Sequence, residues 1–188
     1  MTLSKANAFY LLNTYHSNFF TIIFIWFTYL GDGIFCVAVA IFLFAFGRRF
    51  LSLMVISSYA VSGIIAQVLK YYIVEARPAV YLKDTTYQYF IEDVTLHNLH
   101  AFPSGHSASA FAMAAVLSFG IINKRYSVLF LIMAILVGYS RIYLAQHFID
   151  DVLAGAVIGV FSAVICWIFF ERLFNRLLQY KRVRRNTA

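Results

Sequence analysis

The chain has 188 residues, of which 62% are hydrophobic and only 12% are charged, and its formal net charge is +7. Soluble domains carry about 25% charged residues, so this composition excludes an ordinary soluble protein. It predicts an all-α, polytopic membrane protein, because membrane-spanning backbone must satisfy its own hydrogen bonds. The basic residues form short clusters beside apolar segments, which is typical of orientation signals and argues against nucleic acid as a partner.

The length allows about six spans, at about 20 apolar residues for each crossing of a hydrocarbon core of about 30 Å. Residues 1–188 are predicted to form a single membrane-embedded domain. Segment 1–18 mixes polar and apolar residues, which predicts an interfacial helix or the start of the first span. Asp32 and two glycines interrupt an apolar segment that runs to Phe46, which predicts two short helices joined by a tight turn. Four further spans are predicted at residues 51–72, 104–122, 126–145 and 148–170.

The clusters of basic residues predict the orientation of the spans. They follow the second, fourth and sixth spans, at residues 48–49, 124–125 and in the tail 176–188, so they share one face. The positive-inside tendency makes that face cytoplasmic. The tail is expected to be frayed. The longest polar segment, 74–102, is predicted to be a loop on the opposite, outer face, where the basic residues are Lys70, Arg77, Lys83 and Arg141.

Small residues within the spans predict packing rather than chemistry. Cys36 and Cys166 lie inside apolar segments, which predicts buried core residues rather than a disulfide or metal ligands. Gly155 and Gly159 form a G-x-x-x-G motif on the last span. This motif predicts close helix packing, within the bundle by default.

Polar residues separate the last two spans at positions 140–151. His147 and Asp151 are four residues apart, so on a helix they share a face. A carboxylate there can hold one ring nitrogen of the histidine and leave the other free. Asp150 is a competing partner, although the spacing favours Asp151. Arg141 adds a planar cation that suits phosphate oxygens, but this segment alone is also compatible with a simple helix cap at the membrane interface.

Two further segments can bind an anion at the same face. Lys70 and Arg77 are seven residues apart at the end of a span, where they can hold an anion together or reach separately to the interface. Ser104 and Gly105 open the next span, and the free amides of a helix start attract negative charge. His106 follows in the first turn, where it can donate a proton to such an anion or be a harmless interfacial residue.

The three segments, taken together, resemble a known signature. Lys70-(six residues)-Arg77-Pro78, Pro103-Ser104-Gly105-His106 and Ser140-Arg141-(five residues)-His147-(three residues)-Asp151 occur in this order. They resemble the signature of the type 2 phosphatidic acid phosphatase family of membrane lipid phosphatases, and every position matches. The resemblance implies a helix bundle with its reaction at the outer face, a phosphohistidine intermediate, and neither a metal nor a cofactor.

The resemblance also implies a role for each matched residue. His147 is expected to be the nucleophile, Asp151 its orienting partner, and His106 the acid that protonates the leaving oxygen. The residues expected to bind the phosphoryl oxygens are Lys70, Arg77, Ser104, Gly105 and Arg141. A helix start and three cations can stabilise the charge that develops in phosphoryl transfer.

The implied partners are a lipid phosphate and the bilayer. The candidate substrates are undecaprenyl diphosphate, lipid A 1-phosphate, phosphatidylglycerophosphate and phosphatidic acid, and the sequence does not choose among them. The small size suggests a bacterial inner-membrane enzyme with its site on the periplasmic or extracellular face. Two alternatives stay open, a phosphotransferase that passes the phosphoryl group to a second lipid and a non-catalytic transporter or binding protein. The sequence does not predict the oligomeric state.

Other polar and aromatic residues of the outer loop have less specific predictions. His97 and His100 are expected to be solvated rather than to bind a metal. The loop aromatics either line a head-group pocket or anchor the loop at the interface. They are Tyr81, Tyr87, Tyr89 and Phe90.

Overall fold

The computed structural model describes residues 4–83, 87, 89–90, 98–121 and 123–186. Within them every regular element is a helix, apart from one isolated bridge between Ala76 and Leu99. The helices are α1 (Lys5–Leu12), α2 (Asn18–Tyr29), α3 (Gly33–Ala45), α4 (Arg49–Tyr72), α5 (Pro78–Tyr81), α6 (Gly105–Gly120), α7 (Arg125–Tyr143) and α8 (Ile149–Asn186). The all-α prediction is confirmed.

Three helices are long and apolar enough to cross a membrane by themselves, namely α4, α7 and the segment Ile149–Leu177 of α8. Helices α2 and α3 pass the same test only as a pair, which is bent by 57°. The described residues therefore provide three candidate spans, or four if the bent pair is one span, and the predicted number of six is not confirmed. Helix α6 has 16 residues and is about 24 Å long, shorter than a hydrocarbon core of about 30 Å.

The bend between α2 and α3 occurs at the predicted tight turn. The side chain of Asp32 caps α3 by accepting a hydrogen bond from the backbone N–H of Ile34, at 2.8 Å. Gly31 lies so close to α6 that an added Cβ would be 2.8 Å from the carbonyl oxygen of His106. The pair starts beside Tyr143, whose hydroxyl accepts a hydrogen bond from the backbone N–H of Ser17, and it ends at the turn before α4. The sharp bend makes the pair a candidate broken span or re-entrant loop rather than two full-length spans.

Helix α6 lies at the centre of the bundle, with α4, α7 and α8 packed around it. Two glycines of α8 permit the closest approach. An added Cβ at Gly155 would be 2.4 Å from the carbonyl oxygen of Ser104, and one at Gly159 would be 2.3 Å from that of Ala108. The prediction that this motif packs within the bundle is confirmed, and the packing places the starts of α6 and α8 side by side.

The basic clusters lie at the far end of the bundle from these helix starts. Phe50, next to Arg49, makes edge-to-face contacts with Trp167 and Phe174 in the second half of α8. Leu51 packs against Gly120, the last residue of α6, because an added Cβ at Gly120 would be 2.4 Å from the Leu51 side chain. The prediction that the tail is frayed is wrong, because α8 continues to Asn186 through a segment that contains neither glycine nor proline.

Helix α1 packs on the opposite end of the bundle. The side chain of Phe9 is fully buried, with its ring centroid 5.3 Å from that of Tyr87 and 5.5 Å from that of Phe148. The Nδ2 of Asn13 donates hydrogen bonds to the hydroxyl of Tyr87, at 2.7 Å, and to the carbonyl oxygen of Ile142, at 3.0 Å. Segment 1–18 therefore contains a separate short helix that is docked on the protein.

Several smaller predictions have outcomes in the described residues. Cys36 and Cys166 are buried and free, as predicted. Tyr87 is buried in the cluster beneath α1, whereas Tyr89 is exposed. The side chain of His100 is exposed, as expected for a solvated loop residue, whereas His97 lies outside the described residues.

Candidate active site

Hydrogen bonds join the three sequence segments at the end of the bundle where α1 packs. The Nη1 of Arg77 donates to the side-chain oxygen of Gln146, next to His147, at 3.1 Å. The backbone N–H of Ser104 donates to the carbonyl oxygen of Asp151, at 2.9 Å. The three segments, which are far apart in the sequence, therefore form one site.

His147 and Asp151 are close together, but no helix runs through both residues, so the shared face expected on a common helix does not form. Helix α8 begins at Ile149, so His147 lies in the connection before it. The side chain of Asp151 turns back from the first helical turn, and its Oδ2 accepts a hydrogen bond from the backbone N–H of Phe148, at 2.9 Å. This resembles the reciprocal capping of a helix start. The same oxygen lies 3.4 Å from the Nδ1 of His147, which leaves Nε2 as the ring nitrogen that does not face the carboxylate.

The burial of the two aspartates distinguishes between the alternative partners of His147. The side chain of Asp151 is fully buried, whereas Asp150 is exposed. Only a carboxylate removed from water interacts strongly with a buried imidazole, because water screens exposed charges. The structure therefore favours Asp151 as the partner, as the spacing did.

Positive charge surrounds His147. The residue is 2% exposed, and this burial lowers its pKa well below the usual value. The charges of Arg141, Arg77 and Lys70 lower the pKa of His147 further. The imidazole is therefore neutral at neutral pH, which is the form that can act as a nucleophile.

Arg141 is held by α2. Its Nη1 donates a hydrogen bond to the hydroxyl oxygen of Thr28, at 2.6 Å. Its Nε is buried and has no hydrogen-bond partner among the residues that the structure describes. Buried polar groups are nearly always paired in proteins, so this donor is suited to an oxygen of a bound ligand.

The start of α6 provides a second group of donors. The hydroxyl of Ser104 caps the helix by accepting hydrogen bonds from the backbone N–H of Ser107, at 3.3 Å, and from its hydroxyl, at 2.9 Å. At Gly105 an added Cβ would meet nothing within 4 Å, so the backbone there faces open space. The first amides of a helix have no partners within the helix. Phosphoryl oxygens can therefore approach these amides, with His106 as the next residue.

Lys70 and Arg77 line a cavity beside the site. The Nζ of Lys70 donates to the carbonyl oxygen of His100, at 2.8 Å, and the Nε of Arg77 donates to that of Leu99, at 3.1 Å. These bonds tie the end of α4 and the segment that follows it to the loop before α6. A cavity of about 420 Å³ opens here, and its lining residues are Gln67, Lys70, Tyr71, Arg77, Leu99 and His100.

Three residues at the site were not predicted from the sequence. Gln146 accepts a hydrogen bond from Arg77, and Thr28 accepts one from Arg141. Of these two, only Gln146 could have been suspected from the sequence, because it is adjacent to His147. Lys5 on α1 forms an ion pair with Glu75, and its Nζ lies 3.9 Å from the Oδ1 of Asp151. The predicted set of outer basic residues, Lys70, Arg77, Lys83 and Arg141, was therefore incomplete. Residue spacing gave no signal for Lys5, because only the docking of α1 brings it to the site.

The described residues contain no group of three or more His, Cys, Asp or Glu side chains that is suited to hold a metal ion. The donors that do meet at the site are two imidazoles, one carboxylate and several cations. This set suits an anionic ligand, because the cations would repel a metal ion. The absence of a metal from the reaction stays a prediction.

Comparison with known proteins finds relatives whose names are those of lipid phosphatases. The chain is 34% identical over 115 residues to the lipid A 1-phosphatase of Rhizobium etli, a match that covers 59% of this chain and 47% of that protein. It is 33% identical over 82 residues to phosphatidylglycerophosphatase B of Bacillus subtilis, which covers 39% of this chain and 40% of that protein. The chain thus spans less than half the length of these two curated relatives.

A crystal structure has a closely similar fold. The structure of Aquifex aeolicus LpxE superimposes with a TM-score of 0.72 at 33% identity, covering 85% of this chain and 92% of that chain. The model of the PAP2 superfamily matches residues 51–175, a range that includes every predicted site residue from Lys70 to Asp151. Because this match covers more than half of the chain, the protein belongs to the PAP2 superfamily.

Proposed function

We propose that this protein is a membrane lipid phosphatase that hydrolyses a phosphomonoester or diphosphate of a lipid through a phosphohistidine on His147. One observation carries the proposal. A buried imidazole has a carboxylate 3.4 Å from one ring nitrogen, and the charges of Arg141, Arg77 and Lys70 act on it. A site that only binds phosphate needs the cations but has no need for the oriented imidazole. The names of the relatives, a lipid A 1-phosphatase and a phosphatidylglycerophosphatase, support the same activity.

In the first step the Nε2 of His147 attacks phosphorus, and the bond between phosphorus and the leaving oxygen breaks. The negative charge of the bound phosphate favours the protonated form of His106, which gives its proton to that oxygen, so that a neutral alcohol or a protonated lipid phosphate leaves. The Oδ2 of Asp151, 3.4 Å from the Nδ1 of His147, favours the tautomer with a proton on Nδ1 and balances the positive charge of the phosphorylated ring. The side chains of Lys70, Arg77 and Arg141, with the amides after Ser104, stabilise the phosphoryl oxygens.

In the second step water attacks the phosphohistidine. Neutral His106 removes a proton from this water, the bond between nitrogen and phosphorus breaks, and inorganic phosphate and free His147 result. His106 thus returns to the protonated state that the next turnover requires. Since three cations and a helix start balance the phosphoryl charge, we propose that neither a metal nor a cofactor takes part.

The site is proposed to face the periplasm or the exterior of a bacterial inner membrane. The basic clusters at residues 48–49 and 124–125 lie at the opposite end of the bundle, and the positive-inside tendency supports a cytoplasmic location for that end. The proposed substrate is a lipid whose phosphorylated head group reaches the outer face. The candidates are undecaprenyl diphosphate, lipid A 1-phosphate, phosphatidylglycerophosphate and phosphatidic acid.

A panel assay tests the proposal. The purified full chain in detergent with EDTA is given each of these four lipids, and the release of inorganic phosphate is measured. We expect release from at least one lipid without added metal, and its loss in His147→Ala. Label passing from one lipid to a second lipid instead of to water would indicate the phosphotransferase. No release and no transfer with any lipid would overturn the proposal in favour of a binding protein.

A further inference from the structure

The two oxygens of the Asp151 carboxylate have different surroundings. Oδ2 accepts the hydrogen bond of Phe148 and faces His147. Oδ1 is buried and accepts no hydrogen bond from any residue that the structure describes. Leaving a buried charged oxygen unpaired is costly, so a balancing charge is expected nearby. The Nζ of Lys5 lies 3.9 Å from Oδ1.

Helix α1 holds Lys5 in this place. Its ammonium lies over the ring of Phe148, 4.7 Å from the ring centroid, and it pairs with Glu75. The buried Phe9, one helical turn after Lys5, packs against the same Phe148 ring. The ammonium group of Lys5 is therefore held between Glu75 and the ring of Phe148, unlike that of a surface lysine, which moves freely in water.

The exposure of the partners makes this interaction more than a surface ion pair. The Lys5 side chain is 24% exposed, whereas that of Asp151 is fully buried. Exposed pairs contribute little, because water screens them and ordering two long side chains costs entropy. Here one partner is shielded from water, and the ammonium is already ordered by Glu75 and Phe148. The charge of Lys5 therefore acts on Asp151 with little further loss of conformational entropy.

We propose that Lys5 is a positioning residue of the reaction, which balances the charge of Asp151 at Oδ1 so that Oδ2 holds His147 with its Nδ1 protonated. This inference rests on the proposed function. Lys5 acts through Asp151 and does not touch the substrate. Helix α1 is then part of the catalytic apparatus, although the family match begins only at residue 51.

Steady-state kinetics test this role. For Lys5→Met we expect a kcat about tenfold lower and a KM within about twofold of the wild-type value, because the lost charge affects the nucleophile and not substrate binding. Lys5→Arg, which keeps the charge, should restore kcat to within about threefold. The matched control is Lys83→Met, because Lys83 is an exposed lysine of the same face, and it should leave both constants unchanged. A rise in KM at constant kcat would instead make Lys5 a substrate-binding residue and overturn the inference.

A double-mutant cycle tests whether Lys5 acts through Asp151. In an Asp151→Asn background the carboxylate charge is gone, so adding Lys5→Met should change kcat by less than about twofold. An undiminished tenfold effect in that background would contradict the inference. Lys5→Gln, which also lacks the charge, carries the same test if Lys5→Met does not fold.

The outcome for Lys5 is separate from the outcome for the proposed function. A wild-type chain that releases phosphate, together with a fully active Lys5→Met variant, would refute the role of Lys5 and leave the phosphatase intact. A wild-type chain that is inactive with every lipid phosphate would refute the phosphatase itself.

Discussion

The backbone N–H of Ser104 donates a hydrogen bond to the backbone carbonyl oxygen of Asp151, with an N···O distance of 2.9 Å. This bond joins the cap residue of α6, two residues before His106, to the first turn of α8. The proposed acid and the partner of the proposed nucleophile are therefore fixed relative to each other by main chain. Gly155 makes this approach possible, because an added Cβ there would be 2.4 Å from the carbonyl oxygen of Ser104.

Gly155→Ala tests this junction. The new methyl group must push α8 away from α6, and we expect a loss of about 2 kcal/mol in stability, with a lower melting temperature in detergent and a clear drop in kcat. The matched control is Gly63→Ala in α4, where an added Cβ meets nothing within 4 Å. That change should be neutral or slightly stabilising, since alanine favours a helix. Equal effects of the two substitutions would show that the α6–α8 contact does not fix the site.

Asp151→Asn tests the orienting carboxylate. The amide keeps the size of the side chain but loses its charge, so it no longer favours the protonated Nδ1 of His147. We expect kcat to fall by about 100-fold or more, with KM little changed. Asp150→Asn is the control, because Asp150 is exposed, and it should stay within about twofold of wild type. A larger loss for Asp150→Asn would reverse the assignment.

Thr28→Val tests how α2 holds Arg141. The substitution removes the hydroxyl that accepts the 2.6 Å hydrogen bond from Nη1 while it keeps the shape of the side chain. We expect a reduction of about three- to tenfold in kcat/KM, because the guanidinium is no longer fixed toward the phosphoryl group. Thr28→Ser keeps the acceptor and should be nearly normal. If both variants lose the same activity, the hydroxyl is not the cause.

The pH dependence of kcat/KM tests the charge around His147. Because burial and the nearby cations lower the pKa of this group, it stays neutral to lower pH than an ordinary histidine. The acidic limb of the profile, where His147 gains a proton and loses its nucleophilicity, should therefore lie below about pH 6.5. Removing one cation by Arg77→Gln should move this limb to higher pH. The substrate phosphate also titrates near pH 6, but it does so equally with the wild type and with Arg77→Gln. An unchanged midpoint of the acidic limb in Arg77→Gln would therefore contradict the proposed effect of the cations on His147.

Much of the fold was predictable because it depends on local patterns. Apolar segments and their interruption at Asp32 predicted most helices. The order and identity of the polar residues predicted the three site segments. In the structure, hydrogen bonds of Arg77 and Ser104 join these segments. The number of spans was not predictable in this way. Hydropathy alone does not distinguish two short spans from one broken span, since the distinction depends on how Gly31 packs against α6.

The contribution of α1 to the site also could not be predicted from the sequence. Segment 1–18 has a mixed pattern without a clear apolar face, so its location was left open. Its docking depends on tertiary contacts of Phe9 and Asn13 with residues that are distant in the sequence. Lys5 consequently appeared as an ordinary terminal lysine, although it lies beside Asp151.

Trapping the covalent intermediate tests the central claim most directly. The full chain is mixed with a lipid whose terminal phosphate carries ³²P, the reaction is stopped with alkali within milliseconds, and the labelled peptide is identified by mass spectrometry. We predict an acid-labile, alkali-stable label on His147 that is absent from His147→Asn and disappears as free phosphate forms. Turnover without any label on His147, or with label on another residue, would contradict the mechanism.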